Sequence, residues 1–267
     1  MTTFGFIGAG NMGGALARAT AKAVAPKNIF LADQMAEKAA ALADYLGCNT
    51  CTAQQVAENC TYIFLGVKPQ VMGAMLAEIA PVLAARKDNF VLVSMAAGIC
   101  IADIRQMAGG DYPVIRIMPN IPVSTGNGMI LFDTTDNVSQ QAEEAFRTAL
   151  QFAGILDKLP EKLIDAGSAL SGCGPAFVCL FAEALADGAV ACGLPRAQAM
   201  TYAAQTLKGT ADMLLQSGQH PGQLKDAVCS PGGSTIAGVN ALEQGAFRAS
   251  AMDAVIRAYK KTLELGK

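Results

Sequence analysis

Histidine is nearly missing from this sequence: His220 stands alone, before Pro221 in a loop pattern. With a single imidazole, neither a histidine-built zinc site nor a Ser-His-Asp triad is expected, and no metal ligand set is proposed. Tryptophan is absent, and charged residues make up only 16% of the 267. The formal net charge is −2, with no basic run, so the electrostatic footprint of a nucleic-acid binder is lacking. Uninterrupted apolar stretches long enough for a bilayer are lacking too. FVLVSMAAGICIA ends at Asp103, and the run from Pro175 to Leu194 contains Glu183 and Asp187. The opening MTTFGFIGAG has no basic n-region and no cleavage pattern, so a cytosolic (cytoplasmic) protein is expected. Eight cysteines are scattered, and only Cys48 and Cys51 form a C-x-x-C. That pair lacks the helix-opening context of a redox motif and reads as incidental.

What is present is core: 52% of the residues are hydrophobic, the composition of a globular chain. In the first half, short apolar runs at 4–8, 28–32, 62–67, 90–94 and 114–118 alternate with helical patterns near 11–24, 35–46 and 71–85. Such alternation predicts right-handed βαβ crossovers and a parallel, doubly wound α/β sheet. Further strands are expected at 128–132 and 154–157, with a helix at 138–152 between them. From Glu161 onward no strand pattern is found. Helical stretches are expected at 161–192, 196–217, 221–229 and 234–264, with Gly193 and Pro195 as a stop and restart. The organisation read from this is an α/β domain over 1–160 and an all-α domain over 161–267. The helices of the second domain carry few charges, so their apolar faces imply a homo-oligomer.

GAGNMG, residues 8–13, is a G-x-G-x-x-G between a strand and a helix, the context a dinucleotide site requires. Gly8 permits the tight turn, Gly10 lets the backbone approach a pyrophosphate, and Gly13 allows helix and strand to pack closely. With Ala9, Asn11 and Met12 they offer free amides to the phosphates. Asp33 ends the second strand, twenty residues after Gly13, where a carboxylate accepts from a ribose diol and repels a 2′-phosphate. That favours NADH, although Asp33 in this place could also cap the helix near Met35. Gly66, Val67, Lys68 and Pro69 follow the next strand of the sheet, and Ala96 and Ala97 follow the one after. Ligands of open parallel sheets lie beyond these strand ends. Small residues at 96–98 would admit a flat nicotinamide. Asn120, between two prolines, could meet the cofactor or simply serve its turn; Lys68 could equally be a solvated loop residue.

Six blocks occur in order: FIGAGNMG, FLGVKPQ, SMAAGI, VIRIMPNIP, LSGCGPAF and HPGQLKDAVCSPGGSTIAGVNALE. Together they resemble the pyrroline-5-carboxylate reductase family over nearly the whole chain, most specifically from Cys229 to Glu243. The resemblance implies a Rossmann domain followed by an all-α dimerisation domain, and reduction of a cyclic imine by NADPH or NADH. It also implies a dimer as the minimal active unit, with the active site at its interface; some relatives build decamers. By the same resemblance Gly232, Gly233, Ser234 and Thr235 bind the carboxylate of this small-molecule substrate. Thr235 is the expected catalytic hydroxyl, and Glu161 resembles a substrate-side glutamate. From the residues alone, Ser234 or Thr235 could be an ordinary N-cap and Glu161 a helix-dipole partner. Three positions depart from the family pattern: Asp33, Cys173 in the serine-rich SGSGP block, and Ala227. A β-hydroxyacid dehydrogenase would carry a lysine after Gly174, and PAFVCLFAEALADGAV has none. A non-catalytic cofactor sensor would have no need of SPGGST.

Overall fold

A computed structural model describes residues 1–265. In chain order the elements begin with β1 (Phe4–Ile7), α1 (Asn11–Ala23), β2 (Ile29–Ala32), α2 (Ala36–Leu46), β3 (Asn49–Thr50), α3 (Ala53–Asn59), β4 (Tyr62–Leu65) and α4 (Pro69–Ala85). There follow β5 (Val91–Ser94), α5 (Ile101–Ala108), β6 (Val114–Pro119), β7 (Gly128–Thr134), α6 (Gln140–Leu150) and β8 (Gly154–Lys158). The rest is helical: α7 (Glu161–Ser171), α8 (Gly174–Ala191), α9 (Arg196–Ser217), α10 (Pro221–Ala227), α11 (Ser234–Gln244) and α12 (Phe247–Leu265). The chain forms two compact units. One is Met1–Cys173 together with the chain from Ala258; the other is Gly174–Arg257.

The first unit is built on one sheet of order β3-β2-β1-β4-β5-β6-β7-β8. Strand order reverses on either side of β1, so the loop after β1 sits at the topological switch point. Both faces of the sheet are covered, which is why its central strands read as continuous apolar runs. Alternation along each strand sorts the side chains. Phe6 and Phe64 stack at 4.3 Å and Phe4 and Tyr62 at 4.9 Å, on the face that packs with Leu16, Leu42 and Phe146. Ile63 and Leu65 point the other way, onto Met72, Leu76 and Ile79 of α4. β7 runs antiparallel to β6, with Met118 opposite Leu131. The stretch between them, from Asn120 to Asn127, is too short for a parallel crossover, which takes about a dozen residues or more.

The sequence pattern misses three elements: the two-residue edge strand β3, and the short helices α3 and α5. α3 opens on a reciprocal capping box, in which Thr52 Oγ1 accepts the Gln55 amide and Gln55 Oε1 accepts the Thr52 amide. Two expected long helices are broken. The stretch 161–192 divides at Gly172 and Cys173 into α7 and α8, and 234–264 divides at Gly245 and Ala246 into α11 and α12. Ala246 adopts a left-handed φ of +55°, which a continuous helix cannot contain. Cys48 and Cys51 flank β3, and burial pushes both thiols up, Cys51 to about 11. That is opposite to the thiolate stabilisation a redox motif needs.

In the second unit α8 and α9 pack through Ala186, Ala199 and Ala203. Larger apolar side chains, among them Leu180, Leu215, Met252 and Ile256, remain exposed. Contrary to the expectation that no stretch is long and apolar enough for a bilayer, the run Glu161–Ala191 meets that test by length and composition, because its few charges are spread thinly among apolar residues, and most of it is unburied. Open apolar area of this size marks an interaction surface.

Candidate active site

The turn after β1 is fixed by its backbone. Gly8 has φ +109°, and its amide donates to the Ala32 carbonyl at 2.7 Å. A Cβ at Gly8 would lie 2.5 Å from the Gly66 carbonyl oxygen, and one at Gly13 would lie 2.0 Å from the Gly8 carbonyl oxygen. Loop, helix and the end of β4 thus close on one another without room for a methyl group. Gly10 differs, because a Cβ there would meet nothing within 4 Å. It faces open space at the N-cap of α1, where no side chain caps the helix and no acidic residue lies in the first turn. The leading amides of α1, at Asn11 and Met12, have no intrahelical acceptor. A bare helix start under an open glycine fits a pyrophosphate.

Beside it runs a cleft of about 690 Å³ lined by Ala9, Gly10, Asn11, Arg18, Lys38 and Ser124, among others. Two cations on this wall favour an anionic ligand. The Asp33 carboxylate stands at the end of β2. Its Oδ2 accepts the Ala9 amide at 2.7 Å and its Oδ1 accepts the Met35 amide at 2.9 Å. Asp33 thus joins the glycine loop to the β2–α2 turn without capping α2, whose N-cap is Met35, and its remaining lone pairs are open to a ligand.

Gly66 and Val67 leave β4, Lys68 is the exposed N-cap of α4, and Pro69 opens that helix. Ala96 is buried and Ala97 exposed on the segment after β5, where Gly98 takes φ +74°. Asn120 is engaged by the scaffold. Its Nδ2 donates to the Ser171 carbonyl at 2.9 Å and its Oδ1 accepts the Met129 amide at 2.9 Å. It braces β6, β7 and α7, with one donor hydrogen and one lone pair of the amide left over. Glu161 is similarly engaged: its Oε1 accepts from the Ile101 amide at 2.7 Å and from Arg116 at 3.1 Å.

The second glycine turn lies in the other unit. The Gly233 amide donates to the Ser230 carbonyl at 3.0 Å, with Pro231 and Gly232 between and Gly232 at φ +69°. This is the chemistry of a type II turn, which needs a positive φ at its third residue. The N-cap of α11 is Gly233, so neither hydroxyl caps the helix in the ordinary way. Ser234 and Thr235 occupy the first helical positions, exposed and without a hydrogen-bonded side chain among the described residues. With no acid in the first turn, the helix start is a second bare anion-binding end.

Residues 161–265 match the family model for pyrroline-5-carboxylate reductase dimerisation, and residues 3–98 match that described as NADP oxidoreductase, coenzyme F420-dependent. The chain is 40% identical over 266 residues to the pyrroline-5-carboxylate reductase of Escherichia coli (strain K12), covering 98% of each. It is 39% identical to pyrroline-5-carboxylate reductase 3 of Macaca fascicularis, over 98% of this chain and 96% of that one. The chain belongs to the pyrroline-5-carboxylate reductase family. A solved pyrroline carboxylate reductase of Plasmodium falciparum, with NADP bound, superposes with a TM-score of 0.88 at 32% identity. That likeness covers all of this chain and 98% of the other. The family's dimerisation segment takes in α7 to α12, and with them the open apolar faces and the second glycine turn. A homo-oligomer is the state such a segment serves.

Sequence reasoning missed Arg116. It sits in the middle of a six-residue buried strand at 3% exposure and pairs with Glu161 and Asp165. The signal was in VIRIMP itself, since a charge inside a continuous apolar run must be paired when buried.

Proposed function

We infer that this chain reduces the cyclic imine 1-pyrroline-5-carboxylate to L-proline with NADPH or NADH, closing proline biosynthesis. The observation that carries the reading is the pair of bare helix starts, Gly10–Met12 and Gly233–Thr235, in a member of this family. One suits a pyrophosphate and the other a carboxylate, so the chain has separate holds for two anionic ligands. The reduced nicotinamide, when bound, supplies two electrons and hydrogen to the imine carbon.

The protein's own work is positioning. The amides of Gly233, Ser234 and Thr235, with the close approach that Gly232 and Gly233 permit, hold the substrate carboxylate. The Thr235 hydroxyl, without a partner among the described residues, donates or accepts at the ring nitrogen or the carboxylate. Gly8 to Gly13, Gly66 to Pro69, Ala96 and Ala97 hold the cofactor, and Asp33 receives the adenosine ribose. Asp33 favours NADH, while Lys38 and Arg18 on the adjoining cleft keep NADPH acceptable. Because a protonated imine already accepts hydride, orientation carries much of the rate; such effects reach about 7–11 kcal/mol. A cytoplasmic homodimer completes the reading. Support comes from eight free thiols, which suit a reducing compartment, and from the apolar faces of α8 to α12.

Replacing Thr235 by Ala tests this assignment. Turnover is expected to fall by about tenfold to a hundredfold, the scale of one lost hydrogen bond at the reacting centre, with cofactor affinity unchanged. Steady-state kinetics equal to the parent enzyme would remove Thr235 from the site.

A further inference from the structure

Arg116 is anchored from several sides. Its Nη1 donates to Glu161 Oε1 at 3.1 Å and its Nη2 to Asp165 Oδ1 at 2.8 Å. Its Nε is buried and has no acceptor among the described residues. The guanidinium therefore depends on these two carboxylates for its place in the strand. Glu161 is held in turn, because its own amide donates to Asp133 Oδ2 at 2.6 Å, and Asp133 sits opposite Arg116 in the β6–β7 register. Nearby, hydrogen bonds from the thiol and amide of Cys100, and behind them the charge of Arg116, hold the Asp103 carboxyl below its usual range.

The same Oε1 that receives Arg116 also accepts the Ile101 amide, at 2.7 Å. Ile101 is the first residue of α5 and ends the segment that leaves β5 through Ala96, Ala97 and Gly98. The other hydrogen bonds of this segment are local. Cys100 donates to Asp103, and Ala96 reaches Ser94 Oγ at 3.5 Å. Among the described residues, the Glu161 bond is the one that ties the segment to another element. One oxygen atom thus joins a buried cation to a loop backbone.

We propose that Arg116 and Glu161 are positioning residues that fix the 95–101 segment for cofactor binding. The proposal rests on the reading that Ala96 and Ala97 lie against the nicotinamide. Arg116 fixes the carboxylate, the carboxylate fixes the Ile101 amide, and that amide sets the height of the floor on which the ring lies. Glu161 then acts on the reaction without touching the substrate. A buried cluster of paired charges suits such a task, because each member is satisfied only in the paired arrangement.

The test is NADPH and NADH affinity, read by cofactor fluorescence, in four folded variants of the whole protein. Glu161→Ala is expected to weaken both cofactors about tenfold, the effect of one charge-assisted hydrogen bond. Glu161→Gln keeps an oxygen for the Ile101 amide and is expected to recover affinity to within about threefold of the parent. The triple variant Arg116→Met/Glu161→Ala/Asp165→Asn removes the buried cation together with both of its carboxylate partners, so that no charge is left unpaired. Its thermal stability should recover toward the parent while its cofactor affinity stays at the Glu161→Ala level. A merely structural pair would restore both together, and that outcome would overturn the proposal. So would unchanged cofactor affinity with a raised KM for the imine in both Glu161 variants, which would make Glu161 a substrate contact. Ala97→Leu separates the underlying reading. If it leaves cofactor affinity unmoved, the loop is not beside the ring, and the proposal falls with that reading. If Ala97→Leu weakens the cofactor and Glu161→Ala does not, the proposal alone falls.

Discussion

Gly10, the N-cap of α1, and Gly13, inside that helix, offer the sharpest contrast, because their roles differ in kind. Gly10→Ala adds a methyl group where nothing lies within 4 Å, at φ −70° and ψ −167°, values open to alanine. Alanine is a poorer N-cap than glycine by about 0.5–1 kcal/mol, and its stiffer unfolded chain returns about 0.4–1 kcal/mol. The stability of this variant should thus stay within about 1 kcal/mol of the parent. Its methyl group, however, fills the space assigned to the pyrophosphate, so cofactor affinity should fall by about tenfold or more, or roughly 1.4 kcal/mol. Gly13→Ala places its methyl carbon 2.0 Å from the Gly8 carbonyl oxygen. That oxygen cannot retreat freely, because Gly8 is fixed by its bond to Ala32 and by contact with Gly66. Relief by backbone shift costs about 1–3 kcal/mol, and the loop is deformed as well. Both stability and cofactor affinity should fall. Urea unfolding followed by far-ultraviolet dichroism gives the first quantity. Titration of NADH fluorescence, free of tryptophan background in this chain, gives the second. If Gly10→Ala binds cofactor as the parent does, the open face of that glycine is not the pyrophosphate seat.

Asp33→Ser should raise the ratio of NADPH to NADH efficiency, because on the proposed ribose role the carboxylate that would repel a 2′-phosphate is gone; a ratio that does not move denies Asp33 that role. Glu143 gives a stability prediction. Burial raises its carboxyl, but hydrogen bonds from Lys158 at 2.6 Å and Arg147 at 3.1 Å outweigh this and hold it below the ordinary 4.5. A depressed folded value means stabilisation that is present above the unfolded value and lost as pH falls through the folded one. The stability difference between the parent and Glu143→Gln should therefore be largest near neutrality, at under about 1 kcal/mol, and vanish in acid. Equal differences at both pH values would contradict the pairing.

The sheet was legible because its strands are buried on both faces, so Phe4 to Ile7, Tyr62 to Leu65 and Val91 to Ser94 leave unbroken apolar runs. Turn glycines were legible for a related reason: Gly8 and Gly232 take conformations that other residues avoid. What pattern reading could not supply was the identity of distant partners. Asn120 looked free for a ligand, yet its amide is claimed by Ser171, 51 positions away, and by Met129. Glu161 does stand in the first turn of its helix, but that it meets Arg116, 45 positions earlier on a different element, is not written in its own neighbourhood. Hydrophobic periodicity reports whether a residue is buried and says nothing about which group meets it there. The break at Ala246 escaped for another reason: alanine is the best helix former, so its left-handed turn leaves no mark in the residue itself.

The most direct measurement is cofactor oxidation by the whole protein with 1-pyrroline-5-carboxylate, beside its six-membered analogue, with proline counted as product. The expected result is one proline for each NADPH or NADH consumed, faster with the five-membered ring, and strongly reduced by Thr235→Ala. Tight cofactor binding with no oxidation on either imine would show that the two glycine turns do not form the machinery of a pyrroline-5-carboxylate reductase.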